Sequence, residues 1–251
     1  MTLSAQEIMP GTPAKSLPRI EYLPYDDTTQ TDRQIPRYPR SFTRNPAQPL
    51  IRRPLTLSER TGPTGLAERL LAKDYDLSRP VADGPRAIGQ LIQVAGRVMD
   101  EDGAPIRGAV MELWQANAAG KYIHEADRHE APLDPNFTGW GRLVTGADGE
   151  FEFITIKPGA YPVTESDWWW RPPHIHFSIM GPSWMSRYIT QMFFPGEPLN
   201  EIDLLLNGIR DPEARQRVIF QLQPTKVGVP NLMKFRQDFV LRGKLSTPAV
   251  D

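Results

Sequence analysis

The sequence predicts a mainly β protein: an antiparallel β-sandwich with a long extended N-terminal arm and a few short helices. Three observations support this class. The 26 prolines among 251 residues are about twice the usual share, and proline interrupts helices. From residue 91 onward, short apolar runs alternate with Asp-Gly and Pro-Gly turn sequences, as in strands joined by tight turns. Strands do not alternate with helices as in a βαβ sheet.

The strands and helices follow in order along the chain. Residues 61–77 predict a short helix, because leucines recur with helical spacing after a Gly-Pro start. Short helices are also predicted over 200–209 and after Asp211 and Pro212, an N-cap residue followed by a first-turn proline. The predicted strands are LIQVAGRVM, AVMELWQAN, LVT, EFEFITI, HIHFSIMG, YITQMFF and the closing segment FRQDFVLRG.

The first 54 residues carry nine prolines and show neither a helical nor a strand period. They also contain more tyrosines, leucines and isoleucines than a solvated tail needs. We therefore expect this part to lie extended over another surface. The predicted division is an arm with a short helix over 1–88, which makes subunit contacts, and a β-sandwich domain over 89–251 that carries the functional site.

The composition excludes several functions. The chain has 29 basic and 30 acidic residues, so it lacks the basic field that binds nucleic acid or an anionic membrane. It has no cysteine, which excludes disulfides, zinc fingers, iron–sulfur clusters and cysteine nucleophiles. No signal peptide or transmembrane run is visible, so a cytoplasmic location is expected. Any metal must be bound by His, Tyr, Asp or Glu.

The strongest local feature is the segment WWWRPPHIHF, residues 168–177. On a strand, His174 and His176 project from the same face, so both imidazoles are able to bind one metal ion. A pair of hydrogen-bonded structural histidines is the alternative, and this motif alone does not decide between them. The other two histidines, His124 and His129, are expected to face solvent.

Tyrosines are the candidates that would complete such a metal site. The strands before HIH offer no well-placed carboxylate, which weakens a site of two histidines and one carboxylate. A phenol with an ordinary pKa near 10 ionises at neutral pH only beside a strong cation, such as a trivalent metal. Tyr122 and Tyr161 both lie at turn edges, where functional groups are common. Taken alone, each tyrosine is better explained as a packed core or rim residue.

Six ordered segments together resemble the intradiol ring-cleaving dioxygenases, and the similarity covers about residues 94–244. The segments are VMELWQANAAGKY, DRHEAPLDPNFTGWGR, TIKPGAYPV, WRPPHIHFSIMGPS, ITQMFFPGEPL and DFVLRGK. The resemblance implies a β-sandwich enzyme with a non-haem Fe(III) ion held by Tyr122, Tyr161, His174 and His176. It further implies that Tyr161 is the axial ligand, which leaves the iron and takes up a proton when a catechol binds.

The same resemblance implies roles for further residues. Arg171 matches the arginine that stabilises negative charge on the substrate ring, and Gln191 matches a glutamine that lines the pocket. Tyr38 lies in a P-x-Y-x-x-S-x-x-R-x-P segment similar to the arm segment that reaches the substrate. Leu205 is also predicted to contact the substrate.

Three positions depart from the pattern of the protocatechuate-cleaving members. Val163 stands where they usually have tryptophan, Phe193 where they often have tyrosine, and Thr164 where arginine is common. These changes empty volume near the expected pocket. The predicted substrate is still a 4-substituted catechol bearing an anion. Protocatechuate, opened to 3-carboxy-cis,cis-muconate in the β-ketoadipate pathway, is the first expectation, and 4-sulfocatechol is the alternative.

The resemblance also implies partners. Protocatechuate-cleaving members pair the iron-bearing chain with a homologous α chain that lacks the iron ligands, and the pairs form α/β hetero-oligomers. A catechol and dioxygen are the expected small-molecule partners. Two rival interpretations remain open from the sequence: a transthyretin-like binding module, suggested by GRVMDEDGAPIRGAVMEL, and a cupin-type Fe(II) or Zn(II) enzyme that uses HIH plus a carboxylate.

Overall fold

The computed structural model describes residues 27–48, 72–163, 168–181, 187–224 and 232–241. Within these ranges the chain forms eleven strands and two short α-helices. The strands are β1 (Leu91–Asp100), β2 (Val110–Trp114), β3 (Trp140–Val144), β4 (Glu150–Ile156), β5 (Tyr161–Pro162), β6 (Trp170–Arg171), β7 (His174–Met180), β8 (Arg187–Phe193), β9 (Gln221–Gln223), β10 (Met233–Arg236) and β11 (Phe239–Leu241). Among the described helices, none has the length and apolar composition needed to cross a membrane.

Two sheets pack face to face around one core. In the first sheet, β1 pairs with β4 on one edge and with β10 and β11 on the other, and β9 pairs with β10. The second sheet has the order β3-β2-β7-β8 and is antiparallel throughout. Alternate side chains of each strand point inward, as a half-buried strand requires. Buried core residues from the two sheets include Ile92, Val94, Phe153, Leu113, Ile175 and Phe177.

The predicted mainly β sandwich is confirmed, with one difference in strand direction. The closing segment forms two strands, β10 and β11, that run parallel to β1 in an unchanged register. Gly96 lies at the break between them, where an added Cβ would sit 1.6 Å from the carbonyl oxygen of Gln237. The Asp238 side chain accepts the Arg97 N–H at 2.9 Å. No short turn links β1 to β10, so no local signal in the sequence sets their relative direction.

The helix predictions have mixed outcomes. The helix after Asp211 is confirmed as Pro212–Arg217, with the Asp211 carboxylate accepting the Glu213 N–H at 2.9 Å. The predicted helix over 200–209 is wrong, because a 3-10 turn at Pro198–Glu201 is followed only by further turns. There, the Asp203 side chain accepts backbone N–H groups, and short polar side chains of this kind compete with helix formation.

Of the predicted helix over 61–77, residues 61–71 lie outside the described residues. In the remaining part, Ala72–Tyr75 forms a 3-10 helix. The described part of the arm, residues 27–48, contains a short helix, Arg40–Arg44, that the sequence analysis did not predict. This part packs against the 198–211 loop: the Thr28 carbonyl accepts the N–H groups of Arg210 and Asp211 at 3.1 and 3.0 Å. The predicted division at residue 88 and the subunit contacts of the arm stay predictions.

Candidate metal centre

Strand β7 places two imidazoles on the outer face of the four-stranded sheet. His174 and His176 flank Ile175, which points into the core and is fully buried. The Nε2 atoms of the two histidines lie 3.2 Å apart. The His174 Nδ1 atom lies 2.7 Å from the Pro172 carbonyl, which only accepts hydrogen bonds, so Nδ1 carries the proton and Nε2 keeps its lone pair. Metal-binding histidines are typically oriented in this way by a backbone carbonyl.

The first tyrosine of the site is brought to these imidazoles by the short β5–β6 pair. Tyr161 is paired in register with Arg171, only three residues before His174. Its phenol oxygen lies 3.2 Å from His174 Nε2. The second histidine of the site, His176, is held by the indole of Trp114, which stacks on it with ring centroids 4.8 Å apart and planes within 9°. Both histidine rings are therefore held in fixed orientations.

The second tyrosine enters from the loop after β2. The ring centroids of Tyr122 and Tyr161 are 5.3 Å apart in an edge-to-face arrangement. The Tyr122 phenol oxygen is buried and makes no hydrogen bond of good geometry among the described residues, although the Tyr161 phenol lies close enough to interact with it. A buried polar atom without a well-formed hydrogen bond is rare in native proteins, and a bound ion is one explanation for it. The rings of Tyr122 and Tyr161 thus lie beside the two histidines, which is the arrangement that the predicted metal site requires.

The donor set suits a hard metal ion. Across the described ranges, no group of three or more His, Cys, Asp or Glu side chains is arranged to hold a metal. Anionic phenolate oxygens favour a hard, highly charged cation. A metal at this position would be held by Tyr122, Tyr161, His174 and His176, which remains a prediction for all four residues.

Two glycines allow the tyrosine-bearing loops to approach each other. Gly120 adopts φ +79°, and an added Cβ would lie 2.0 Å from the Ala160 carbonyl oxygen. Gly159 makes the reciprocal approach, since its Cβ would lie 2.4 Å from the Ala118 carbonyl oxygen. The Asp127 carboxylate accepts the Tyr122 N–H at 2.8 Å and fixes the end of the loop. Backbone packing therefore places the two phenols together.

We expect Gly120→Ala to destabilise the protein more than Gly103→Ala. Gly103 also has a positive φ, +81°, but an added Cβ there meets nothing within 4 Å. The left-handed conformation costs both variants about 1 to 2 kcal/mol. The contact with Ala160 adds about 1 to 3 kcal/mol for Gly120→Ala alone. Chemical denaturation of the two variants measures the difference, and equal free energies of unfolding would contradict the proposed loop packing.

Burial sets the ionisation of all four candidate ligands. Burial, and next the positive charge of Arg171, hold the pKa of His174 well below its usual value and lower that of His176 to about 3. Burial raises the pKa of Tyr122 well above 10, with a further increase from the neighbouring Tyr161. Burial also raises the pKa of Tyr161, an effect that Arg171 opposes. Without a metal the imidazoles are neutral and the phenols protonated, so metal binding would release phenol protons.

Arg171 lies beside the four donors in a buried ion pair. Its Nε donates to the Asp203 carboxylate at 2.7 Å, and its Nη2 donates to the Gln191 side-chain oxygen at 2.5 Å. Arg171 is 5% exposed and Asp203 is completely buried. Arg171 and Gln191 were predicted as site residues from the sequence, whereas Asp203 was not. The only signal for Asp203 was an acidic residue before a leucine run, which is also the pattern of a helix N-cap.

The predicted substrate contacts fall into two groups. Phe193, Leu205 and Gln191 line a cavity of about 270 Å³ that also touches His176 and arm residues 29–31. Phe193 is largely buried, with its ring 5.4 Å from that of His174.

The second group surrounds the buried indole of Trp169. The Tyr38 ring packs edge-on against this indole at 5.0 Å. The Val163 N–H donates to the Trp169 carbonyl at 3.0 Å. Thr164 lies outside the described residues. The structure thus brings Phe193, Leu205 and Gln191 to one cavity. Tyr38 and Val163 do not line that cavity and contact Trp169 instead.

Comparison with known proteins identifies the relatives of this chain. A family profile described as "Dioxygenase" matches residues 61–243. The protocatechuate 3,4-dioxygenase beta chain of Burkholderia cepacia is 45% identical over 216 residues, which cover 85% of this chain and 90% of that protein. The alpha chain from the same organism is 29% identical, covering 64% and 79%. The crystal structure of 3-chlorocatechol 1,2-dioxygenase from Rhodococcus opacus 1CP has a TM-score of 0.54 at 22% identity, covering 69% and 66%, and supports the fold alone.

Proposed function

Because this chain belongs to the intradiol dioxygenase family, we propose that it is the iron-bearing β subunit of an enzyme that opens the ring of a 4-substituted catechol. Members of this family use non-haem iron. We place Fe(III) between Tyr122, Tyr161, His174 and His176. Family membership excludes the transthyretin-like binding module as the function of the chain.

One observation carries the proposal: two partly buried tyrosines and two histidines lie together, and the buried Tyr122 oxygen makes no hydrogen bond of good geometry among the described residues. Phenolate and imidazole donors together suit a ferric ion. When bound, Fe(III) would act as a Lewis acid that draws electron density from a catechol, which would make the ring reactive toward dioxygen.

The surrounding residues supply proton transfer and charge. The Tyr161 phenolate would be the proton acceptor at Oη when a catechol arrives, because burial raises the pKa of Tyr161 in the absence of a metal. The Arg171 guanidinium provides a fixed positive charge for the electron-rich ring in a site largely sheltered from water. Gln191 accepts a hydrogen bond from Arg171 and also lines the cavity described above, so it connects the guanidinium to that cavity.

The proposed substrate is protocatechuate, the compound in the name of the 45% identical relative. Two features support an anionic substituent. Arg44 donates to the Tyr38 hydroxyl at 3.2 Å, which strengthens that hydroxyl as a donor toward an anion. Arg37 lies over the Trp168 ring at 4.1 Å, so a second guanidinium is close to the Trp169 segment. The small side chain at Val163 leaves room for a sulfonate, so 4-sulfocatechol is the second candidate.

We further propose that the chain works with a homologous α chain, as the names of the two Burkholderia chains suggest. Oxygen uptake by the co-expressed α and β chains tests the proposed substrate and the proposed partner together. We expect turnover of protocatechuate or 4-sulfocatechol with kcat/KM at least about tenfold above that of unsubstituted catechol, a difference of about 1.4 kcal/mol. An equal preference for unsubstituted catechol would contradict an anion-recognising pocket.

A further inference from the structure

We propose that Asp203 is a positioning residue for the ring-opening reaction, which fixes the Arg171 guanidinium relative to the iron site. This inference rests on the proposed function and adds a residue to it. Asp203 lies 32 positions after Arg171 in a loop, whereas Arg171 lies on β6 beside the candidate metal ligands. The contact between these two elements is therefore made by the folded structure, not by local sequence.

The two carboxylate oxygens of Asp203 bind two different parts of the protein. Oδ2 accepts the Nε–H of Arg171 at 2.7 Å. Oδ1 accepts the backbone N–H groups of Leu205 and Leu206 at 3.1 and 2.8 Å. A completely buried carboxylate is stable only when its charge is paired and its lone pairs are bonded, and Asp203 satisfies both conditions.

The guanidinium of Arg171 is fixed on three sides. Asp203 binds Nε, Gln191 binds Nη2, and the ring of Trp169 lies 5.7 Å from the guanidinium carbon. A planar guanidinium held at two of its nitrogens has one orientation. Reaction rates are sensitive to such orientation, since a displacement of about 1 Å can cost about 100-fold.

The charge of Arg171 reaches the candidate metal ligands. Arg171 stands three residues before His174 along the chain, and Gln191, which it binds, is paired in register with His176. Arg171 is also paired across strands with Tyr161, so the two residues share one rigid element. A residue that orients Arg171 therefore controls where positive charge is applied in the site.

The test is a double-mutant cycle with Asp203→Asn and Arg171→Gln, read by the kinetics of the co-expressed, iron-loaded enzyme and by denaturant unfolding of the same variants without iron, where the two substitutions should also be non-additive. Asparagine still caps the turn at Leu205 and Leu206 but removes the charge that pairs with Arg171. We expect Asp203→Asn to lower kcat about 100-fold with KM changed less than about threefold. In the Arg171→Gln background the same substitution is expected to change kcat less than threefold, because Asp203 acts through the arginine.

The matched control is Asp211→Asn, which removes the charge of another turn-capping aspartate that binds the Glu213 N–H. It is expected to leave kcat and KM unchanged. If Asp203 only stabilised its turn, which carries Leu205, Asp203→Asn would instead raise KM. It would also lower kcat by the same factor in the wild-type and Arg171→Gln backgrounds. Either of those results, or a fully active Asp203→Asn, would overturn only the role of Asp203. A wild-type enzyme that opens no catechol would overturn the proposed function as well.

Discussion

His174→Ala is expected to abolish stable iron binding and, with it, catechol cleavage. The His174 side chain is almost completely buried, and its Nε2 lies 3.2 Å from both the Tyr161 oxygen and His176 Nε2. Loss of a partner that only orients a ligand costs about 10- to 100-fold in metal affinity, so loss of a ligand itself should cost more than about 100-fold. Iron content after dialysis and kcat/KM for oxygen uptake measure the two effects.

The control for this prediction is His124→Ala. His124 is exposed and its Nδ1 accepts only the local Ala126 N–H. It should retain the iron content and kcat/KM of the wild-type enzyme. If His174→Ala retains stoichiometric iron, or if the two variants lose iron equally, His174 is not a ligand.

Arg171→Gln is the second substitution with a large expected effect. It should lower kcat/KM about 100- to 1,000-fold, because a preorganised positive charge is lost from a sheltered site. It should also lower the free energy of unfolding by about 3 to 5 kcal/mol, since the completely buried Asp203 carboxylate loses its partner. Steady-state kinetics and denaturant titration measure these changes separately.

Two comparisons sharpen this prediction. Arg187→Gln removes an arginine from β8 whose side chain is about half exposed, and should change both quantities little. Adding Asp203→Asn to Arg171→Gln should restore part of the lost stability, because it removes the unpaired buried charge, while activity stays low. An active Arg171→Gln enzyme would remove the arginine from the mechanism.

The sequence was most informative where side chains alternate along single strands. The spacing of His174 and His176 placed both imidazoles on one face, and the structure has them there, with Ile175 in the core. The sandwich class followed from short apolar runs and turns. These signals are local, so a single sequence carries them.

Features that depend on contacts between distant segments were not predicted. The parallel direction of β10 and β11 depends on how the chain returns to β1, which no nearby turn specifies. Asp203 was included in the predicted helix over 200–209. Its pairing with Arg171 was not predicted, because the two residues lie 32 positions apart in sequence. The convergence of Tyr122 with Tyr161 was implied by family resemblance, whereas its physical cause, the close approach at Gly120, requires coordinates.

The visible absorption spectrum of the purified, iron-loaded protein tests the central proposal most directly. Two phenolates bound to Fe(III) give an intense reddish colour, whereas a ferrous or zinc site is colourless. We therefore predict a coloured protein whose absorption changes in Tyr122→Phe, a substitution that removes only the buried phenol oxygen. A colourless protein that contains stoichiometric iron would contradict a site built from Tyr122, Tyr161, His174 and His176.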